Sequence, residues 1–396
     1  VLRSSLREFV CSEAMHHLGV PTTRALSLAL TGDEVIRDMM YDGNPRAEPG
    51  AVVCRAAPSF LRFGSLEIHA ARGDTGTLKL LADHIIRTHA PELDAENPEV
   101  YAQWFHEVCR ATAHMICQWM RVGFVHGVMN TDNMSVHGLT IDYGPYGWID
   151  NYDPRWTPNT TDAAQRRYRF EAQPSVAAWN LGCLASAILP LVSEKAPLEE
   201  GLEEYWKTLE AATFDAYAAK LGLPSLQDAR LCDEKSRSEA ASLIHDLGDL
   251  LAAMPTDMTI FFRQLAQVPT NADASATELL APIREAYYEV DGLTEAHERR
   301  TVEWLRDLAR RARDEAASSD ARADAMRGAN PKYVPRNYLA QLAIEDAERG
   351  DLTKLHALVE ALQHPYDEQP EHDALARRRP DWATHKPGCS MLSCSS

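Results

Sequence analysis

Along most of this chain apolar residues recur every three to four positions, and only near its start do they alternate. Leu6, Phe9, Val10, Ala14 and Leu18 share one helical face, which predicts a helix over 3–18 that Gly19 terminates. Pro21-Thr22-Thr23 breaks the pattern, and alternation predicts a strand over 24–30. Gly, Asp, Asn and Pro crowd the stretch from Gly32 to Gly50. It reads as a hairpin connection with a long insertion, before a returning strand over 51–56. Residues 59–71 are mixed, and no clear β signal follows them.

Beyond residue 75 the text is helical. Helices are predicted over 77–89, 98–122, 174–192, 197–221, 236–253, 275–290, 295–327 and 336–349, with a short one ending at Leu362. The stretch 98–122 carries Trp104, Val108, Ala111, Met115, Trp119 and Met120 as an apolar stripe. Residues 123–160 interrupt the helices with Gly, Asn, Asp and Pro, and functional side chains concentrate on such loops. Residues 365–396 read as a flexible tail. The expected class is α+β, with a β-containing fragment over 1–72, a mostly helical unit over 73–364 and the tail.

Composition narrows the partners. With 45% hydrophobic and 25% charged residues in 396, the chain is of ordinary globular type, which excludes disordered and low-complexity classes. Its 58 acidic against 40 basic residues give a net charge of −18. That speaks against nucleic acid or anionic lipid as a partner, since both need a basic surface. No unbroken run of 18 apolar residues is present, so no transmembrane helix is expected. The eight cysteines show no CxxC or Cys/His metal spacing. Six read as reduced thiols of a reducing compartment. Cys389 and Cys394 stand apart in the tail, where mobile thiols could close a disulfide or exchange with a partner. The chain opens at Val1 without Met, so further residues upstream are expected.

The informative stretch is HGVMNTDNMSVHGLTIDYGPYGWIDNYDP, from His126 to Pro154. Asn133 on a loop, then Asp142 within hydrophobic-Asp-hydrophobic-Gly, suits a divalent cation with oxygen ligands. Kinase-like enzymes hold the metal on their nucleotide phosphates with such residues. A polar hairpin whose Asn and Asp cap turns is the alternative. Small-molecule phosphotransferases of kinase type use HGDxxxxN. His126 and Asn133 keep that separation, but Val128 stands at the base position and cannot accept a proton. Asp132, directly before Asn133, offers a displaced carboxylate. Arg55 and Arg62 have the chemistry for bidentate phosphate contacts.

LREFVCSEAMHHLGVPTTRALSL, RAAPSFLRFGSLE, the central motif, NPKYVPRNYLAQLAIEDAERGD and the terminal SCSS together resemble the selenoprotein O family (SelO/YdiU) over essentially the whole chain. The resemblance implies a protein-kinase-like fold, here with a mostly helical C-lobe and a partial N-lobe. It implies transfer of AMP from ATP, bound with Mg2+ or Mn2+, to Ser, Thr or Tyr hydroxyls of protein substrates. Uridylyl transfer is proposed for bacterial members. By resemblance Asp132 is the proton acceptor, and Asn133 and Asp142 are metal ligands. Glu8 pairs with a nucleotide-site lysine, Arg55 and Arg62 contact nucleotide phosphates, and Cys394 stands where animal members place selenocysteine. The glycine loop and that lysine would lie upstream of Val1. His126 is expected to order the loop, and Arg336 to tie the helical lobe together. A monomer is expected, in the cytoplasm of a bacterium or the mitochondrion of a eukaryote. Two rivals are a kinase-like phosphotransferase, against which Val128 speaks, and a non-catalytic nucleotide-binding scaffold.

Overall fold

Helix α1 (Leu2–His17) forms where its apolar face predicts it. Leu6, Val10 and Ala14 are buried in a core shared with Tyr338, Ile344 and Leu358 from the far end of the chain. Against α1 lies an antiparallel hairpin of β1 (Arg24–Arg37) and β2 (Arg46–Ala56), with Leu28 opposite Val53 and Arg37 opposite Arg46. Both strands run beyond the expected 24–30 and 51–56. A register irregularity between Leu30 and Glu34 absorbs Gly32, so most of the expected insertion is strand. Residues 31–37 of β1 are all exposed, Ile36 at 70%, so burial imposes no alternation there, and the outer part of β2 buries Glu48 and Gly50, neither of which is an apolar residue that would mark a strand face. The structure, a computed structural model, describes residues 1–39, 41, 43–229, 234–315 and 318–393.

The mixed stretch 59–71 resolves into α2 (Phe63–Ala71), which buries Phe63 and Leu66. The helical body follows as α3 (Thr75–His89), α4 (Val100–Val122), α5 (Gln173–Ile188) and α6 (Ala196–Leu221). The stripe on α4 buries Trp104, Phe105, Val108, Met115 and Trp119, packing against α5 and α6. Between α4 and α5, β3 (Phe124–Val125) pairs with β4 (Gly147–Trp148) and closes the base of the 126–146 loop. The segment Phe170–Leu191 is long and apolar enough to cross a membrane by length and composition. Here its Leu181, Leu184 and Ile188 pack inside the main core.

A second core gathers α7 (Ser225–Ala229), α8 (Glu234–Ala253), α9 (Met258–Leu265), α10 (Ala276–Leu280), α11 (Glu295–Asp314) and α12 (Ser319–Ala329). Two expected helices are corrected. Over 275–290 only α10 is α-helical, because Pro282 brings no N–H to continue it and a 3-10 turn at Arg284–Ala286 redirects the chain. The stretch 295–327 is two helices, the second opened by Ser318, whose Oγ accepts from the Ala321 N–H. The periodicity missed α9, which Asp257 caps by accepting the Ile260 N–H. The chain closes with α13 (Asn337–Ala347) and α14 (Thr353–Gln363).

The expected flexible tail is corrected as well. Through Ser393 it is packed, with Ala383, Cys389 and Leu392 buried and Trp382 edge-on to Tyr338. Its anchors are backbone bonds and ion pairs to remote segments, among them Glu368 with Arg263 and Lys386 with Glu345, which leave no periodic mark in the text. Cys394 lies outside the described residues. Among the described residues the architecture is thus mixed α+β, mainly helical, with two two-stranded sheets.

Candidate active site

Helix α4 feeds β3 directly into the loop at His126. That imidazole is 1% exposed and stacks on Trp119 at 5.3 Å. Its Nε2 lies 3.0 Å from the Ile141 carbonyl, and its Nδ1 faces the Val128 N–H at 3.4 Å. The neutral tautomer protonated at Nε2 satisfies both contacts. Burial pushes its pKa down, which keeps the ring neutral. His126 therefore ties the start of the loop to the segment bearing Asp142, the ordering role expected of it. Gly127 follows with φ +80°, and a Cβ there would meet the Pro145 carbonyl, so the two arms approach too closely for another residue.

The loop presents Asn133 and Asp142 to one cavity of about 510 Å³. It is lined also by Glu8 and Ser5 of α1, Arg55 of β2 and Val128. The Asn133 Nδ2 donates to the Val128 carbonyl at 2.9 Å, which commits its nitrogen to the protein and leaves Oδ1 for a ligand. Asp142 has φ +65°, a left-handed conformation costing about 1–2 kcal/mol for a residue with a side chain. Among the described residues no protein group hydrogen-bonds or ion-pairs with its carboxylate.

Glu8 reaches the same place from α1. Its Oε1 accepts from Arg55 at 2.7 Å, and its Oε2 accepts the Tyr143 N–H at 3.0 Å. Burial pushes the Glu8 carboxyl up, Arg55 opposes this, and the Asp142 charge adds to it. So α1, β2 and the loop meet at one ion pair. Glu8, Arg55, Asn133 and Asp142, spread over more than 130 positions of the chain, share one cavity.

Asp132 and Arg62 sit beside this cavity rather than in its lining. Asp132 is exposed, and its carboxylate leans on Gly64 in the first turn of α2. A Cβ at Gly64 would collide with it. The Arg62 Nη1 donates to the Asp132 main-chain carbonyl at 2.7 Å, so it braces the loop from outside. The Phe63 N–H to Met134 carbonyl bond, 2.9 Å, continues that brace.

Cys389 departs from the expected redox role. It is 3% exposed, and burial pushes its thiol up to about 11, with Lys386 opposing. A buried thiol with that pKa is a poor nucleophile at neutral pH.

Sequence reasoning missed two features. Arg336, tying the lobe as expected, does so through a buried cluster with Asp257 and Asp150. Its Nη1 and Nη2 each lie 2.9 Å from an Asp257 oxygen, and it also pairs with Asp150 at the end of the loop segment. The helix-cap text Thr256-Asp257 before an apolar run could have flagged Asp257. The other is Asn159, whose Nδ2 donates to the Gly127 carbonyl at 3.0 Å. Pro158-Asn159-Thr160 reads as a turn, and only the fold shows what it faces.

Among the described residues no three His, Cys, Asp or Glu side chains cluster for a metal. The cavity instead offers the Asn133 amide oxygen and the Asp142 carboxylate, a set that fits a hard cation completing its shell with phosphate and water. The family model described as protein adenylyltransferase SelO matches residues 1–363. The protein nucleotidyltransferase YdiU of Nitrosospira multiformis is 53% identical over 418 residues, covering 100% of this chain and 72% of that protein. That of Xanthomonas campestris pv. campestris is 54% identical over 397 residues, covering 100% and 73%. That of Rhodopirellula baltica is 53% identical over 409 residues, covering 100% and 74%. A match over this span, with relatives so similar, makes the chain a member of the protein adenylyltransferase SelO family and an enzyme of the nucleotidyltransferase class.

Proposed function

We propose that the cavity between α1, β2 and the 126–146 loop binds ATP with Mg2+ or Mn2+, and that the chain transfers AMP to Ser, Thr or Tyr hydroxyls of proteins. The observation that carries this reading is the convergence of Asn133 and Asp142 beside the Glu8–Arg55 pair. Within the lining one cation, Arg55, faces two carboxylates, Glu8 and Asp142. A triphosphate entering there needs further positive charge, and Asn133 and Asp142 would hold the divalent ion that supplies it. Arg55 is positioned to turn from Glu8 to a phosphate, and Arg62 to keep Asp132 in place.

In the reaction the acceptor hydroxyl oxygen bonds to the α-phosphorus. The bond from that phosphorus to the bridging oxygen breaks, pyrophosphate leaves, and the hydroxyl proton passes to Asp132. Val128 at the position where a phosphotransferase keeps its base favours this reading over γ-phosphoryl transfer. A glutamate-bearing helix under a hairpin, across from a loop with a metal-type Asn and Asp, supports a protein-kinase-like fold. The bacterial relatives and the buried thiols Cys11, Cys109 and Cys117 suit bacterial cytoplasm.

The test is labelling with ATP tagged on the α- or the γ-phosphate. Protein labelled from the α-position alone, with release of pyrophosphate, is expected. Label from the γ-position would make the chain a phosphotransferase. Metal-dependent ATP binding with neither label would make it a scaffold, and stronger labelling from UTP would reassign the nucleotide.

A further inference from the structure

The packed C-terminal segment ends against the segment that follows β4. Leu392 is fully buried, its N–H donates to the Pro158 carbonyl at 3.0 Å, and its carbonyl accepts the Thr160 N–H at 2.7 Å and Oγ1 at 2.9 Å. The residue framed by those bonds is Asn159, 2% exposed. Its Oδ1 accepts both the N–H and the hydroxyl of Thr161, at 3.0 and 2.8 Å. That fixes the amide so that Nδ2 points at the Gly127 carbonyl.

The bond to Gly127 acts on a particular peptide. The Gly127 carbonyl and the Val128 N–H belong to one peptide unit. Asn159 holds its oxygen and His126 Nδ1 faces its N–H. The next carbonyl, that of Val128, receives Asn133 Nδ2. Glycine at 127 makes a flip of this unit sterically cheap, so side-chain clamps must select its orientation.

We propose that Asn159, framed by the Leu392 strap, is a positioning residue for the catalytic loop. It holds the 127–128 peptide in the orientation that presents the Val128 carbonyl to Asn133, and so aims the Asn133 Oδ1 into the cavity. The C-terminal segment thereby acts on the reaction without touching substrate. Lys386 paired with Glu345 of α13 at 2.5 Å anchors the strap from the other side, and the Gly388 N–H bonded to the Met391 carbonyl at 2.9 Å closes a turn within it. This proposal rests on reading 126–146 as the catalytic loop of a nucleotidyl transfer.

The test compares the full chain with Asn159→Asp, Asn159→Ser and a chain ending at Gly388. Asn159→Asp keeps an oxygen for Thr161 and replaces the donor to Gly127 by an acceptor, while Asn159→Ser keeps an oxygen, is too short for its hydroxyl to take the place of Nδ2 at Gly127, and adds no charge should the aspartate fail to fold. In Asn159→Ser and the shortened chain, kcat for AMP transfer is expected to fall at least tenfold while KM for ATP moves less than threefold. The Mn2+ concentration for half-activation is expected to rise severalfold. Amide hydrogen exchange at 128–130 should speed at least tenfold, and combining the two changes should cost no more than the larger alone. Turnover within twofold of the full chain, unchanged exchange at 128–130, or losses that multiply in the combination would overturn the proposal. If the full chain itself transfers no AMP, exchange at 128–130 alone decides the strap.

Discussion

Arg336 is the place where a single change should cost this fold most. Its guanidinium is 1% exposed and Asp257 fully buried, with two bonds of 2.9 Å between them. Asp257 also accepts from the Tyr288 hydroxyl at 3.0 Å and caps α9 through the Ile260 N–H at 3.0 Å. Replacing one partner of a buried pair leaves an uncompensated charge, at about 3–5 kcal/mol. Asp257→Ala adds a lost cap, about 1 kcal/mol, and an unpaired tyrosine hydroxyl, about 1 kcal/mol more. That total approaches the whole stability of an ordinary domain, about 5–15 kcal/mol. Asp257→Asn keeps an oxygen for the cap and should lose about 1 kcal/mol less. Arg336→Met strands the two carboxylates. Burial already pushes the Asp150 carboxyl up, against the pull of Arg336. With Arg336 gone the folded chain gains a proton there more readily than the unfolded chain, so the penalty shrinks as pH falls. Urea unfolding followed by tryptophan fluorescence would measure all three variants and the Asp257→Ala/Arg336→Met pair. The double change should cost at least 1 kcal/mol less than the sum of the single ones. Strict additivity, or a loss under 1 kcal/mol for Asp257→Ala, would refute the reading of this cluster as a mutually dependent buried unit.

Asp142→Ala should abolish AMP transfer and Asn133→Ala weaken it about tenfold, with excess Mn2+ partly rescuing only the second; full activity of Asp142→Ala at ordinary magnesium would sink the metal assignment. Asp132→Ala should lower kcat about 10²-fold or more with ATP affinity little changed, and an unaltered kcat would make Asp132 a turn residue only. Burial first, and His89 second, push His137 down from 6.5 to about 4. The unfolded chain then binds a proton that the folded chain refuses, so stability is full above the unfolded pKa and falls as pH drops below it. His137→Phe should flatten that part of the pH–stability curve measured by thermal unfolding, and an unchanged slope would count against the assignment.

Much of this protein was legible before any fold was known. The helix at 3–18, the long stripe on 98–122 and the chemistry of 126–154 are written in local periodicity and residue type, which the neighbours of each residue already specify. The order His126, Asn133, Asp142 is what pointed to a loop suited to oxygen-ligand chemistry, because residue type and loop position are both local features of the sequence. What the text left open depends on contacts between remote segments. The outer part of β1 is exposed throughout, and the outer part of β2 buries Glu48 and Gly50 rather than apolar side chains, so no apolar alternation marked them. Pro282 interrupts a helix whose apolar spacing continues past it. The tail is ordered by main-chain bonds from Leu392 to Pro158 and Thr160 and by side-chain pairs such as Lys386–Glu345 and Lys332–Asp373, all with partners far away in the sequence. Only the tertiary structure gave Glu8 its partner Arg55, leaned Asp132 on Gly64 and buried Cys389. Each of these is a meeting of positions far apart in the chain. Periodicity and residue type can name the groups, but the packing of α1, β2 and the C-terminal segment around one loop decides which of them touch.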